Sequence, residues 1–166
     1  ISSHLMNMGS TPVNVDNMAT ACLPIPQEMT DIIGFSGRWA KEFQLERLSR
    51  FSCTYMRENR RGRTSHDSYP AVICCASRTM EQEGEAYAMH LAWSGNHRIR
   101  VDSLNDGRVF ASLGTYLLPG EIRLLPGECF DSPAIIAGYS ANGLSALSRQ
   151  FHDHVRNRLL RPSVRS

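Results

Sequence analysis

Three guanidiniums, an imidazole and two hydroxyls crowd around one glycine in Glu58-Asn59-Arg60-Arg61-Gly62-Arg63-Thr64-Ser65-His66. Arg60, Arg61 and Arg63 each offer planar, paired donors, which suit a carboxylate, a phosphate or an acidic surface. Ser65 and His66 add a hydroxyl and a ring nitrogen, but side by side in sequence they are no nucleophile and base pair. Asp67-Ser68-Tyr69-Pro70 closes the stretch and leads into Ala71-Val72-Ile73-Cys74-Cys75-Ala76, apolar enough for a strand buried on both faces. A solvated charged turn is the ordinary reading of such a loop. The functional reading is a docking element for a ligand or another chain.

Other residues offer less. Trp39 and Trp93 could stack on a sugar ring, although the apolar odd face around Trp93 points to a core position. Asn96 and His97 could meet a ligand, or could be a turn asparagine beside a packed histidine. His152 and His154 stand two apart on a helical pattern and face different ways, which disfavours a shared metal. No G-x-S-x-G, G-x-G-x-x-G or P-loop occurs, so no cofactor is called for. Sixteen acidic residues are present, yet no spacing singles out an acid and base pair for glycoside hydrolysis.

The elements that must hold these residues read as mostly β. Glu85 to Trp93 alternates Tyr87, Met89, Leu91 and Trp93 with Ala86, Ala88, His90 and Ala92: one large face, one small. Ser94-Gly95-Asn96 predicts a hairpin into His97, Ile99 and Val101. Asn105-Asp106-Gly107 predicts another into Val109, Ala111 and Leu113. Further strands are expected at Ser3 to Asn7, Val13 to Val15, around Phe43 and Leu45 (half-buried), Cys53 to Met56, Glu121 to Leu125 and Ala134 to Tyr139. Leu144, Leu147, Phe151, Val155 and Leu159 then follow helical steps, so a helix is expected over Asn142 to Leu160, capped near Ser140 or Asn142 and ending before Pro162. Together these predict an antiparallel β-sandwich with one carboxy-terminal α-helix.

Size and composition agree with one domain. The chain has 166 residues, 42% of them hydrophobic and 20% charged, which is a globular balance. A net charge of +2 gives no global field for nucleic acid or an anionic membrane, and neither is an expected partner. No apolar run approaches the roughly 20 residues of a membrane span. Lys41 is the only lysine, so arginine-based ion pairing is expected throughout. Five cysteines without C-x-x-C spacing read as small buried thiols in a reducing cytoplasm. The absence of an initiator methionine fits a chain that begins inside a larger protein.

In order along the chain, Gly37-Arg38-Trp39 with Glu42-Phe43, the arginine loop with Pro70, Gly84-Glu85-Ala86-Tyr87, Trp93-Ser94-Gly95-Asn96-His97, Pro119-Gly120-Glu121, Tyr139-Ser140, Gly143-Leu144 and Ser148-Arg149-Gln150-Phe151-His152 form one series of blocks. Asn7-x-Gly9 and Leu23-Pro24-Ile25-Pro26 precede them. The series resembles the amino-terminal domain of family 36 α-galactosidases over nearly the whole chain. The resemblance implies part of a β-supersandwich, roughly its second half, over residues 1–140. The helical segment 141–166 would lead into a catalytic (β/α)8 barrel.

In that family the barrel carries the aspartate nucleophile and the aspartate acid/base of a retaining mechanism. Nothing here matches the barrel motifs, so no catalytic residue carries over. The implied function is a non-catalytic part of an enzyme that hydrolyses terminal α-galactosides of raffinose or melibiose type. Family members often form tetramers in which amino-terminal domains reach towards neighbouring active sites. Arg60, Arg61, Arg63, Ser65, His66, Trp39, Asn96 and His97 are the residues expected to meet substrate or an interface. A stand-alone carbohydrate-binding sandwich and a purely structural or oligomerisation module are the rival readings.

Overall fold

A computed structural model describes residues 1–49, 53–64 and 66–160. Ser65 and the expected helix stop at Pro162 lie outside the described residues. The strands are β1 (His4–Met6), β2 (Val13–Asn14), β3 (Met18–Ile25), β4 (Asp31–Arg38), β5 (Lys41–Ser49), β6 (Thr54–Asn59), β7 (Ala71–Cys75), β8 (Ala86–Leu91), β9 (His97–Ser103), β10 (Val109–Thr115), β11 (Arg123–Leu124), β12 (Cys129–Asp131) and β13 (Ile135–Ser140). Helix α1 (Gly143–His154) follows and runs on into a π-helical turn, Val155–Leu159.

Two antiparallel sheets make the sandwich. One has the order β3-β10-β9-β6 and the other β13-β8-β7-β4-β5. Alternation on each strand aims the apolar residues at the opposite layer. Ile99 and Val101 of β9, with Val109, Ala111 and Leu113 of β10, thus meet Ile32, Val72, Cys74, Met89 and Leu91 of the other sheet. The opposite face of the five-stranded sheet carries Ile33, Cys75, Ala86 and Ala88, and Leu147 of α1 packs there. The small face expected on β8 is therefore what lets the helix lie close. Gly138 of β13 serves the same fit, since a Cβ there would stand 3.1 Å from Phe151 and 3.3 Å from Leu147.

The helix is seated by backbone rather than by the expected side-chain cap. The Asn142 side chain makes no capping hydrogen bond, although the Ser140 hydroxyl accepts from the Asn142 amide at 3.0 Å just ahead of the helix. Instead the amides of Gly143, Leu144 and Ser145 donate to the carbonyls of Gly84, Met80 and Glu81 at 2.9, 3.0 and 2.8 Å. The donors that a helix start leaves open are thus satisfied by a neighbouring loop. Gly143 has φ 78°, and a Cβ there would collide with the Glu81 and Glu83 backbone; only glycine permits this entry.

Four expectations need correction. The turn at Ser94-Gly95-Asn96 does not make a hairpin: β8 and β9 lie in different sheets. Both strands carry apolar inward faces, so they stack across the core instead of pairing edge to edge. Trp93 is 43% exposed, because β8 stops at Leu91 and the alternation ends with it. Phe43 and Leu45 are 58% and 51% exposed rather than half-buried. They lie on β5, the outer edge of its sheet, where Phe43 has φ 54° at an irregularity opposite Gly37. Lastly, Cys22, Cys53 and Cys129 are exposed; Cys74 and Cys75 alone are buried, on opposite faces, and no disulfide links any of the five.

Candidate functional site

Register builds one end of the molecule. Asn59 ends β6 opposite His97, the first residue of β9, and His97 stands opposite Thr115, the last of β10. The arginine loop, the Trp93 to Asn96 turn and Tyr116 must therefore emerge side by side. Five of the candidate residues meet here: Arg60, Arg61, Arg63, Asn96 and His97.

The loop is closed by its own polar groups. Asn59 is 3% exposed; its side-chain oxygen accepts from the Arg61 amide at 3.0 Å and its amide nitrogen donates to the Arg63 carbonyl at 2.7 Å. Gly62, at φ 76°, donates to the Asn96 side-chain oxygen at 2.7 Å. The Thr64 amide reaches the Ser94 carbonyl at 2.5 Å, and the Trp93 indole donates to the Asn96 carbonyl at 3.1 Å. Asn96 thus ties the turn to the loop.

Its neighbour His97 is fully buried. Its Nδ1 lies 3.1 Å from the Gly95 carbonyl and its Nε2 3.2 Å from the Ser68 hydroxyl. A carbonyl only accepts, so Nδ1 carries the proton and Nε2 accepts from Ser68. Burial depresses the His97 pKa, against a smaller opposing effect of the Gly95 carbonyl. The ring is neutral scaffolding under the loop.

The charges above it are paired. Arg98 donates to Glu58 at 2.6 Å, and Arg60 donates to the other oxygen of the same carboxylate. Their guanidiniums lie over the Tyr116 ring at 4.8 and 4.7 Å from its centre, in cation–π range. Burial works against the Glu58 carboxylate, but hydrogen bonds from Arg60 and Arg98 outweigh it and hold its pKa below the ordinary value. Arg61 pairs with Asp67 at 2.5 Å. Arg63 makes no ion pair among the described residues, and it is exposed. His66 sits half-buried in the turn that follows.

Trp39 stands apart from this cluster. It is 84% exposed at the tip of the β4–β5 hairpin, beside Ala40 at φ 61°. The hairpin is braced by aromatic edges: Phe35 and Phe43 meet Tyr69 at 5.7 and 5.3 Å between ring centres. Tyr69 ends the segment that closes the arginine loop, so the two features share a strut. Sequence reasoning missed Glu58, Arg98, Tyr116 and Tyr69 as parts of this end. Glu58 sits within the loop motif, but the other partners follow only from strand register. Among the described residues, no group of three or more His, Cys, Asp and Glu side chains could hold a metal ion.

Comparison with known proteins fixes the lineage. The model of the glycosyl hydrolase family 36 N-terminal domain matches residues 1–125. The chain belongs to that family. An α-galactosidase of Escherichia coli is 39% identical over 145 residues, covering 87% of this chain and 20% of that protein. The bifunctional α-galactosidase/sucrose kinase AgaSK of Mediterraneibacter gnavus is 36% identical over 162 residues, covering 96% of this chain and 17% of that protein. The solved structure of a variant of the family 36 α-galactosidase AgaA from Geobacillus stearothermophilus, in complex with raffinose, superposes with a TM-score of 0.89 at 28% identity, over 96% of this chain and 22% of that one. The chain thus spans about one fifth of the length of these relatives. All eight candidate residues fall inside the matched domain; α1 lies beyond it.

Proposed function

We propose that this chain serves as the non-catalytic amino-terminal domain of a longer α-galactosidase. The parent enzyme hydrolyses terminal α-galactosides of raffinose or melibiose type with retention, using two carboxylates of a (β/α)8 barrel that follows the domain. The carrying observation is the superposition of nearly the whole chain on a fifth of an α-galactosidase. Residues 1–140 form the sandwich and 141–166 the passage to the barrel. The domain works in the cytoplasm, a setting its five thiols suit, and within a homo-oligomer.

The end that carries the arginine loop and Trp39 is the docking end, against the parent's barrel or a neighbouring subunit. Arg63, unpaired within the described residues, and the exposed indole of Trp39 are the groups that can offer contacts without dismantling the fold. A stand-alone carbohydrate-binding sandwich has Trp39 in its favour, since an exposed indole suits a sugar face. Asn96 speaks against it, because its side-chain oxygen is already engaged by Gly62.

The test compares the full-length enzyme with the 166-residue chain on a chromogenic α-galactoside. Turnover is expected from the first and only background release from the second. Turnover by the chain alone, abolished by replacing one of its own carboxylates, would sink the assignment of the chemistry to a barrel.

A further inference from the structure

The apolar stripe that runs along α1 and its π-helical turn outlasts the sheet beneath it. Leu147 is 2% exposed, Val155 41% and Leu159 58%. The first half of the stripe is pressed on Ala86, Ala88 and Ile33, while the second half overhangs. Between the overhang and the sheet lies a groove of about 370 Å³, floored by Ala71, Ile73 and Ile136 and walled by Tyr69, Phe151 and Val155. Of the groove's polar residues, His90 is the one set against its floor: burial, and then the nearby His97, depress its pKa, and its ring stacks on Tyr69 at 5.2 Å.

We propose that the polypeptide following residue 166 folds back into this groove and covers it. The inference rests on the reading that the chain is the amino-terminal part of a longer enzyme. Two observations and one general argument choose this occupant. The relatives carry about four-fifths of their length outside the matched part, which on the functional reading supplies the chain to fill it. Val155 and Leu159 wall the groove, so chain leaving the helix emerges at its rim. A tethered segment has an effective concentration that a second copy or a free ligand lacks, and it avoids the loss of translational freedom on association. The superposition on the AgaA variant spans 96% of this chain with a TM-score of 0.89, so this fold is compatible with an enzyme that carries further length.

The experiment uses the full-length protein with the photo-reactive residue p-benzoylphenylalanine replacing Val155 or, in a second protein, Leu159. Each is mixed with an isotopically heavy, unmodified copy before illumination. Links from position 155 or 159 to peptides beyond residue 166 of the same light chain are expected, at least about tenfold over links to heavy peptides. Links chiefly to heavy chains would mean that a second copy covers the groove. Links only within residues 1–140, or none from either position, would mean that it stays open. Each of these overturns the inference. Hydrolysis of an α-galactoside is scored on the same samples. An active enzyme with heavy-chain links loses this inference alone, whereas an inactive protein with same-chain links loses the functional reading and keeps the groove.

Discussion

The arginine-loop end and the helix groove are opposites in chemistry and in completeness. At the loop, conspicuous polar groups mostly answer one another: Arg60 and Arg98 share Glu58, Arg61 holds Asp67, and Asn59 closes the backbone. At the groove there is little charge, yet the apolar stripe of α1 is left half covered. Residues that look most reactive in a sequence are those a fold most needs to neutralise, because a buried unpaired charge or donor is costly. Apolar surface left open draws less notice and says more about what is missing. The difference separates what the fold has built for itself from what it leaves for a partner.

The sharpest break is at Leu147. If the first half of the stripe seats α1, Leu147→Ala should destabilise the protein by about 2–5 kcal/mol, the usual range for truncating a buried leucine. Denaturant unfolding followed by circular dichroism measures it. A loss below about 1 kcal/mol would mean that the backbone bonds of Gly143, Leu144 and Ser145 hold the helix without the sheet contact.

Asn59→Ala probes the other region and should cost less, about 1–3 kcal/mol, since the Arg61 amide and the Arg63 carbonyl lose their partner. The loop should also become the first site of proteolysis. Unchanged stability and unchanged cleavage would show that the loop is held by Asn96 and the ion pairs instead.

Much of this division was legible before the structure, and two of the failures share one cause. Period-two alternation in His97 to Val101 and Val109 to Leu113 marked strands that do pair, and the 3.6-residue stripe marked α1. Alternation reports which way a side chain points but not which layer it meets. Hence Ser94 to Asn96 passed for a hairpin when the chain was crossing between sheets. For the same reason Phe43 passed for half-buried on what is an edge strand. At the site, the loop and its asparagine were visible as motifs. Arg98, Tyr116 and Tyr69 were not, because they come from other parts of the chain: register sets Arg98 beside Glu58, and only the fold brings Tyr116 under Arg98 and Tyr69 to Phe43.

Acid should act on the loop's foundation. His97 and His90 both have pKa values below the ordinary value, first because burial disfavours the charged ring. In the unfolded chain they titrate near 6.5. As pH falls through about 6.5 the unfolded state takes up protons that the folded state refuses, so stability present at pH 7.5 declines towards pH 5.5. Melting at the two pH values should show the lower midpoint in acid, and NMR titration should find the His97 ring protonating below its ordinary pKa. A His97 ring that protonates at or above its ordinary pKa would refute the buried-scaffold account.

The smallest expected change in stability carries the functional question. Reversing Arg61 cannot answer it, because Arg61→Glu sets a carboxylate against Asp67 and disturbs the loop itself. Arg63 lacks an ion-pair partner among the described residues, so Arg63→Glu should alter the stability of the isolated chain by no more than about 0.5 kcal/mol, as for other surface changes. Across a docked surface the same reversal places like charges together or breaks a desolvated pair, and the cost rises to about 2–5 kcal/mol. In the full-length enzyme, Arg63→Glu should therefore shift the oligomer distribution on a sizing column or lower kcat/KM while the melting midpoint of the isolated chain stays put. If assembly and turnover both match the unmodified enzyme, Arg63 is a solvated surface charge, and the loop is as complete in itself as its ion pairs make it look.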